Sequence, residues 1–444
     1  MRVVLSSICT VMMLINVCGA QSENPSPQVY SLEQCIQLAE KYNATLIAAR
    51  QSYNVARSQV WTSWGRLLPS VDTRMGYSHN ETWSPGGSYW NPVTTQIDSV
   101  PPGAVKTKSY SASLSASQGW SLGGYDYYNI REKGASKKSA ESSYQLARQD
   151  LVLSVKQAYF DVLKSKMLEE IQKDALRRAD EQLKIAQTRY DLGAASYSDV
   201  LKAKVQRGDV ELALIGAENA VKIAKATLNN WMGQDVNVPI DVEENLSVPT
   251  FGYSYEQALN DAMTKNADLR KAKFGLESAE AQLGMARSGF FPNFSLSGSY
   301  SWNNRNLDQI KYINQRDYNW NISASFSLNI FDNFQKNYNL SYAKANRNSA
   351  RENFSQTKRD VALELKQAYL NVEEAQQKID LSEQKQASAR EDLDLVQEKY
   401  NLGSASILEL LDAEGSFKQA ESDRVQALYD FNLAVAQFEK AMGK

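Results

Sequence analysis

Between Asn293 and Trp302 the chain alternates residue by residue: Phe294, Leu296, Gly298, Tyr300 and Trp302 interleave with Asn293, Ser295, Ser297, Ser299 and Ser301. A period of two predicts a strand with one apolar and one polar face. Trp320, Ile322, Ala324, Phe326 and Leu328 alternate in turn with Asn321, Ser323, Ser325 and Ser327, which predicts the returning strand of a hairpin over about 292–331. An earlier stretch, about 70–120, carries the theme more weakly. There Val71, Thr73, Met75 and Tyr77 stand against Asp72 and Arg74, then Tyr110, Ala112, Leu114 and Ala116 against serines. Elsewhere the period is helical. Residues 32–66 and 255–289 are alanine-rich helical patterns, each ending just before Pro69 or Pro292, where extended chain must begin. Long helices are predicted after each hairpin, from about Tyr125 to Tyr190 and from about Phe334 to Tyr400. Leu176, Ala179, Leu183, Ala186 and Tyr190 step by three and four along the first, as Ala389, Leu393, Val396 and Tyr400 do along the second, which is a heptad seam. The chain then reverses at Leu192-Gly193 and Leu402-Gly403. Return helices follow, with seams of Leu201, Val205, Leu212 and Ile215 in one and Leu428, Phe431, Val435 and Phe438 in the other.

The chain is written twice. A shift of 223 positions aligns Ser31-Leu32-Glu33-Gln34 with Ser254-Tyr255-Glu256-Gln257, Asn43 with Asn266, Pro69 with Pro292 and Tyr77 with Tyr300. A shift of 210 aligns Lys156-Gln157-Ala158-Tyr159 with Lys366-Gln367-Ala368-Tyr369, Leu192-Gly193 with Leu402-Gly403, and Met232-Gly233 with Met442-Gly443. The difference of thirteen places an insertion in the first hairpin, most simply in a loop around Trp83 to Pro102. The expected organisation is a leader over 1–20, a first repeat over 21–233, a connector over 234–253 containing Pro239 and Pro249, and a second repeat over 254–444. The connector reads as a small mixed belt at mid-height.

Strands of about ten residues are long enough to cross a bilayer at a tilt. Tyr77, Tyr110, Tyr300, Trp302 and Trp320 cluster toward strand ends, as membrane girdles do, although the same residues would suit a soluble core. Four strands cannot close a barrel, and open edges in hydrocarbon leave amides unpaired at several kcal/mol each. Subunits would then have to share one barrel. Two copies give eight strands and a filled interior, whereas three give twelve and room for water, which the serine faces favour. A helix of some 65 residues is about 100 Å long, so two shorter helices stacked end to end would match it.

Composition and charge narrow the chemistry. The 444 residues are 43% hydrophobic, ample for a folded core. Arg2, the apolar run Val3 to Val17 and Cys18-Gly19-Ala20 read as a secretory leader cleaved after Ala20. A lipoprotein would use Cys18 instead, but Val17 stands where a small residue is wanted. After cleavage Cys35 is the lone cysteine, expected in plain helix packing, and His79 is the lone histidine, so internal disulfides, His-based catalysis and multi-His metal sites are all hard to build. No metal or cofactor is expected. A net charge of −2 gives no reason to expect a nucleic-acid partner. No run of eighteen apolar residues follows the leader, so any membrane insertion must use strands.

The doubled helix–hairpin–helix plan and the tip sequences Arg189-Tyr190-Asp191-Leu192-Gly193 through Asp199-Val200-Leu201, and Lys399-Tyr400-Asn401-Leu402-Gly403 through Leu411-Asp412-Ala413, resemble the TolC outer-membrane efflux family over nearly the whole mature chain. The resemblance implies a mainly α fold with a β-barrel: a trimer whose four membrane strands per chain form a shared twelve-stranded barrel that continues into a long α-helical coiled-coil tunnel across the periplasm. It also implies the outer membrane of a Gram-negative-type bacterium, contact with its lipid, and docking to a periplasmic adaptor and an inner-membrane transporter of the proton-driven RND or the ABC type. By position, Leu192, Gly193, Ala194, Leu402, Gly403 and Ser404 would meet the adaptor. Glu409 and Asp412 would form a cation-favouring constriction, and Asp199 and Tyr400 would hold neighbouring helices together in the closed state. Some relatives place an arginine two residues after the second tip glycine; here Ala405 stands there and part of that latch is absent. Glu replaces the family's Asp at 409. The plain reading of Glu409 and Asp412 is a solvated helix face.

The function expected is passive export of drugs, metal ions, metabolites or a secreted protein, with no bond broken and the energy supplied by the inner-membrane partner. The rival is a periplasmic or secreted coiled-coil scaffold without a channel. A hydrolase is disfavoured because no nucleophile, base and orienting group can be assembled from these residues.

Overall fold

The structure, a computed structural model, describes residues 28–244 and 251–444, so the expected leader cleavage site and part of the connector lie outside the described residues. In chain order the elements are β1 (Gln28–Tyr30), α1 (Leu32–Tyr42), α2 (Ala44–Gly65), β2 (Ser70–Ser84), β3 (Gly87–Asn91), β4 (Gln96–Val100), β5 (Gly103–Ser121), α3 (Tyr125–Asp191), α4 (Tyr197–Met232) and β6 (Ile240–Val242). They continue with α5 (Tyr255–Lys265), α6 (Ala267–Ser288), β7 (Asn293–Asn304), a 3-10 turn over Leu307–Tyr312, β8 (Tyr318–Ser327), α7 (Gln335–Asn401) and α8 (Ile407–Ala441). The run helix, helix, hairpin, long helix, return helix thus occurs twice.

The helices expected over 32–66 and 255–289 are each broken once. Asn43 leaves the helical region, with φ −65° and ψ 122°, and its side-chain oxygen accepts from the amides of Thr45 and Leu46. Asn266 repeats this with φ −57° and ψ 129°, accepting from Asp268 and Leu269. Each asparagine also donates across to the end of a return helix: Asn43 Nδ2 to the Trp231 carbonyl at 3.2 Å, and Asn266 Nδ2 to the Ala441 carbonyl at 3.3 Å. The break therefore joins two short helices end to end beside one long helix. Gly233 and Gly443 complete the joint. Both are left-handed, at φ 73° and 86°, and a Cβ on either would stand 2.8 Å from the backbone of Tyr42 or Lys265. Replacing Asn43 or Asn266 with Ala is expected to cost about 1–2 kcal/mol, the loss of a helix cap, seen as a lower denaturant midpoint.

The hairpins form one antiparallel sheet in the order β2-β5-β7-β8. Its register keeps the two faces in phase across all four strands: Met75 lies opposite Ala112, Ala112 opposite Trp302, and Trp302 opposite Tyr318. On the other face serines meet serines, Ser297 with Ser323 at 2.9 Å, Ser295 with Ser325 at 2.6 Å and Ser70 with Ser117 at 2.9 Å. The outer strands β2 and β8 are each paired on one side only. The expected loop around Trp83 to Pro102 is instead a second hairpin, β3 with β4, in which Trp90 faces Ile97. β2 and β5 are 15 and 19 residues long, well beyond the ten expected.

At mid-height β1 pairs in parallel with β6. Ile240 and Val242 pack there with Tyr30, Cys35, Val155, Tyr159, Val162, Leu228 and Met232. Cys35 is fully buried, and burial pushes its thiol up to about 12, which suits packing and not reactivity. The second repeat has its own core, in which Ala258, the counterpart of Cys35, packs with Leu365, Val372, Phe431, Phe438 and Met442.

Candidate functional site

The two reversals of the chain sit together at one end of the helical body, and each is built the same way. At the end of α3, Gly193 donates to the Tyr190 carbonyl at 2.9 Å and Ala194 to the Arg189 carbonyl at 2.8 Å; at the end of α7, Gly403 donates to Tyr400 at 3.0 Å and Ser404 to Lys399 at 2.9 Å. This paired closure needs a left-handed residue, which Gly193 (φ 74°) and Gly403 (φ 79°) supply. No neighbouring atom lies within 4 Å of where a Cβ would stand on either. Leu192 and Leu402 project from the turns, 78% and 84% exposed.

Each return helix then opens on a serine. Ser196 and the carboxylate of Asp199 cap one another at the start of α4, Ser196 N to Oδ2 at 3.2 Å and Asp199 N to Ser196 Oγ at 3.3 Å. Ser406 caps α8, its Oγ accepting from Glu409 N at 3.3 Å and donating to Glu409 Oε1 at 3.1 Å. Asp199 and Glu409 are equivalent positions in the repeat, so an acid three residues after the cap has a local reason in both halves. The residue three further on does not repeat. It is Lys202 in α4, 3.8 Å from Asp199, and Asp412 in α8. The first pair offset each other; the second sum. Glu409 and Asp412 are both exposed and, being three apart on a helix, share a face.

Tyr400 is 4% exposed, at the end of a cluster containing Leu393, Ile407, Leu410, Ala413 and Phe417. Burial pushes its hydroxyl pKa up; Arg189 works the other way, and the charge of Asp199 reinforces the rise. Arg189, which opens the first tip sequence, carries a contact that the sequence does not announce. It crosses from α3 to the end of α7, where its Nη2 donates to the carbonyls of Tyr400 and Asn401 at 2.7 and 2.8 Å, and its guanidinium lies 4.5 Å from the centre of the Tyr400 ring. An arginine thus holds this tip although none stands at 405. Its signal in the sequence is faint, since its repeat counterpart is Lys399.

At the opposite end, the rings of Tyr77 and Tyr110 meet at a tilt with centroids 5.0 Å apart and those of Tyr300 and Tyr318 stack at 5.7 Å, while Trp320 is 64% exposed. Trp302 departs from the expected girdle. It is 1% exposed, on a strand whose end is covered by the turn over Leu307–Tyr312, and Tyr300 donates to the Ile313 carbonyl beside it. A second belt went unread, at the joints between helices and strands: Trp61, Trp64, Phe290, Phe291, Phe331 and Phe334 are all exposed there. It was hidden because these residues fall inside helical patterns or turns. Among the described residues no helix is long and apolar enough to cross a membrane, and no group of three or more His, Cys, Asp or Glu is placed to hold a metal ion.

A family model described as outer membrane efflux protein matches residues 35–234 and 258–444. Among curated relatives, the outer membrane protein TolC of Vibrio cholerae serotype O1 is 23% identical over 415 residues, covering 91% of this chain and 90% of that one. Outer membrane protein TolC of Escherichia coli is 24% identical over 432 residues, covering 94% and 83%. Among solved structures, the CmeC outer membrane channel of Campylobacter jejuni superposes with a TM-score of 0.77 at 21% identity, covering 93% of this chain and 85% of that one.

Proposed function

The chain belongs to the outer membrane efflux protein family, a family of outer-membrane channels that extend into the periplasm, and from that premise we propose that three copies form one duct. The observation that carries this reading is the four-stranded sheet with one apolar face, one serine face and an unpaired edge on each side. Edge β8 of one copy would pair with β2 of the next, so that no amide is left open in lipid. Twelve strands leave a wet lumen, which the serine face suits; eight would fill with side chains.

Below the barrel the long helices would continue the lumen across the periplasm. The tip turns Leu192-Gly193-Ala194 and Leu402-Gly403-Ser404 would meet a periplasmic adaptor, and through it an inner-membrane RND or ABC transporter. Glu409 and Asp412, three of each, would ring the narrow end. Asp199 and Tyr400 would hold neighbouring helices together in the closed tip, with Arg189 as the partner of Tyr400. Tyr77, Tyr110, Tyr300 and Trp320 would stand at the lipid interface. Transport through such a duct is passive and breaks no bond. The exposed stripe Leu201, Val205, Leu212 and Ile215 on α4 supports assembly, since single-chain packing leaves all four bare. Detergent-extracted mature protein is expected to appear as a three-fold particle with a central hole, and to migrate differently in gels when unheated. Monomers soluble without detergent would overturn the duct.

A further inference from the structure

Near the tip, α3 meets two neighbours with two different faces. Leu183 and Ala186 turn toward α4, where they pack with Val200 and Ala203. Arg178, Gln182, Ile185 and Arg189, spaced four, three and four, form a second stripe toward α7 and α8. Only Ile185 in that stripe is apolar. Higher up, the same two helices are joined by apolar contact, Tyr429 and Leu433 of α8 lying against the core that contains Tyr159 and Leu163 of α3. The contact between the two hairpins therefore changes from apolar to polar on the way down.

The polar level is poorly satisfied. Gln182 is 3% exposed, and neither its amide nitrogen nor its oxygen has a partner. Arg178 lies 3.8 Å from Glu421, too far for a hydrogen bond, and 5.5 Å from the Phe417 ring. Its Nε and the Glu421 Oε2 are both unpartnered. Glu414, one turn below Phe417, is 8% exposed. A cavity of about 340 Å³ opens among Arg178, Gln182, Ile185, Leu393, Asp394 and Glu414. In the first repeat the position of Glu414 is held by Lys204, so the buried acid belongs to this seam and not to the helical plan.

We propose that Glu414, set against Arg178 in the polar seam between α3 and α8, is a proton-operated catch: while neutral it lets the α7–α8 hairpin lie against α3, and on losing its proton it frees that hairpin to part from α3 and open the tip. The proposal rests on the reading of this end as the gate of a duct. Burial pushes the Glu414 carboxyl up to about 7, and Arg178 beside it only partly offsets this. The charged groups around the catch are Arg178 and Glu181 from α3 and Asp394 from α7; further up lie Glu421 on α8 itself, which burial also pushes up, with Asp174 from α3 and Arg390 from α7 near it. A parted tip would hydrate Glu414 and return it toward its ordinary value of 4.5. The closed tip then binds the extra proton. Its advantage is full below 4.5 and is lost as pH rises through about 7.

The test is hydrogen exchange of residues 407–424 in the full-length, detergent-solubilised protein between about pH 5.5 and about 7.5, corrected for the intrinsic pH dependence of exchange. Protection in the native chain is expected to fall on the order of tenfold over that range, while Glu414→Gln keeps its low-pH protection throughout. Glu414→Leu, neutral and unable to hydrogen-bond, is expected to behave as Gln does. A Gln variant with the native slope, or a native chain with no slope, overturns the catch. Conductance in planar bilayers, recorded in a Glu409→Gln, Asp412→Asn background, separates the two readings. An exchange slope in a particle that forms no pore retires the duct and leaves the catch; a pore whose α8 shows no slope retires the catch alone.

Discussion

Changing Glu409→Gln and Asp412→Asn together is expected to lower the cation-over-anion permeability ratio of the reconstituted channel about a hundredfold, with trimers and strand content unchanged. The fold should tolerate the change because the cap bond to Ser406 Oγ comes from the backbone amide of residue 409, and a Gln oxygen can accept from the Ser406 hydroxyl as the Glu oxygen does. The magnitude follows from charge counting. In a three-fold ring six carboxylates would surround the axis; at about 8 Å each contributes about 0.5 kcal/mol in water, about 3 kcal/mol together. Screening at 0.1 M salt, with a Debye length of about 10 Å, leaves roughly half, which is about tenfold in favour of a cation and as much again against an anion, so about a hundredfold in their ratio. At about 1 M salt the Debye length falls to about 3 Å and native and variant channels should converge. The repeat shows why the charge concerns the path and not the fold. α4 carries Lys202 where α8 carries Asp412, and both helices form equally well. An unchanged ratio at low salt would put these carboxylates off the path of the ions.

The long helices were legible to within one residue at either end, Tyr125–Asp191 and Gln335–Asn401 against expectations of 125–190 and 334–400. Their boundaries are chemical events, a hairpin before and a Leu-Gly after, and the periodicity between them is uninterrupted. The breaks at Asn43 and Asn266 were not legible, because one polar residue in an alanine-rich run does not disturb a helical period. Only the cross-bonds to Trp231 and Ala441 show what those asparagines do. The α4 seam failed for another reason. Periodicity favours the largest residues, yet Val200, Ala203 and Val210 carry the packing within the chain while Leu201, Val205, Leu212 and Ile215 face outward. In α8 the large residues do face in, Leu428, Phe431 and Phe438 all being buried. A sequence period locates an apolar face without saying whether its partner is in the same chain.

The joint between β8 and α7 shows a similar limit. Asn333 and Phe334 take left-handed backbone, at φ 55° and 64°, where the first repeat has Gly123 and Gly124, the latter at φ 79°. A phenylalanine there is strained by about 1–3 kcal/mol, which no residue pattern announces. Its ring is 68% exposed and meets Phe331 edge-on at 5.5 Å. The strain thus holds an aromatic pair outward at the level where the strands begin, beside the exposed Phe290 and Phe291.

Gly193→Trp together with Gly403→Trp is expected to abolish export while leaving trimers, barrel and exchange protection of the upper helices intact. Each substitution places an L-residue in left-handed backbone, costing roughly 1–2 kcal/mol. That strain is local to a turn whose Cβ direction opens on empty space, so no packed neighbour is displaced. What changes is the outer surface of the tip, where two indoles per chain would stand between the exposed Leu192 and Leu402 and any helical hairpin approaching end-on. Gly193→Ala with Gly403→Ala carries similar backbone strain with little bulk, and should retain most of the export; this pair separates strain from obstruction. The measurement is retention of a fluorescent efflux substrate by cells that depend on this chain, read beside the amount of trimer in the outer membrane. A drop of at least tenfold in efflux for Trp, with Ala near native, is the pattern that docking at the turns requires. Equal loss in both variants would assign the defect to the strained turn, and normal efflux in the Trp variant would remove the turns from the docking surface.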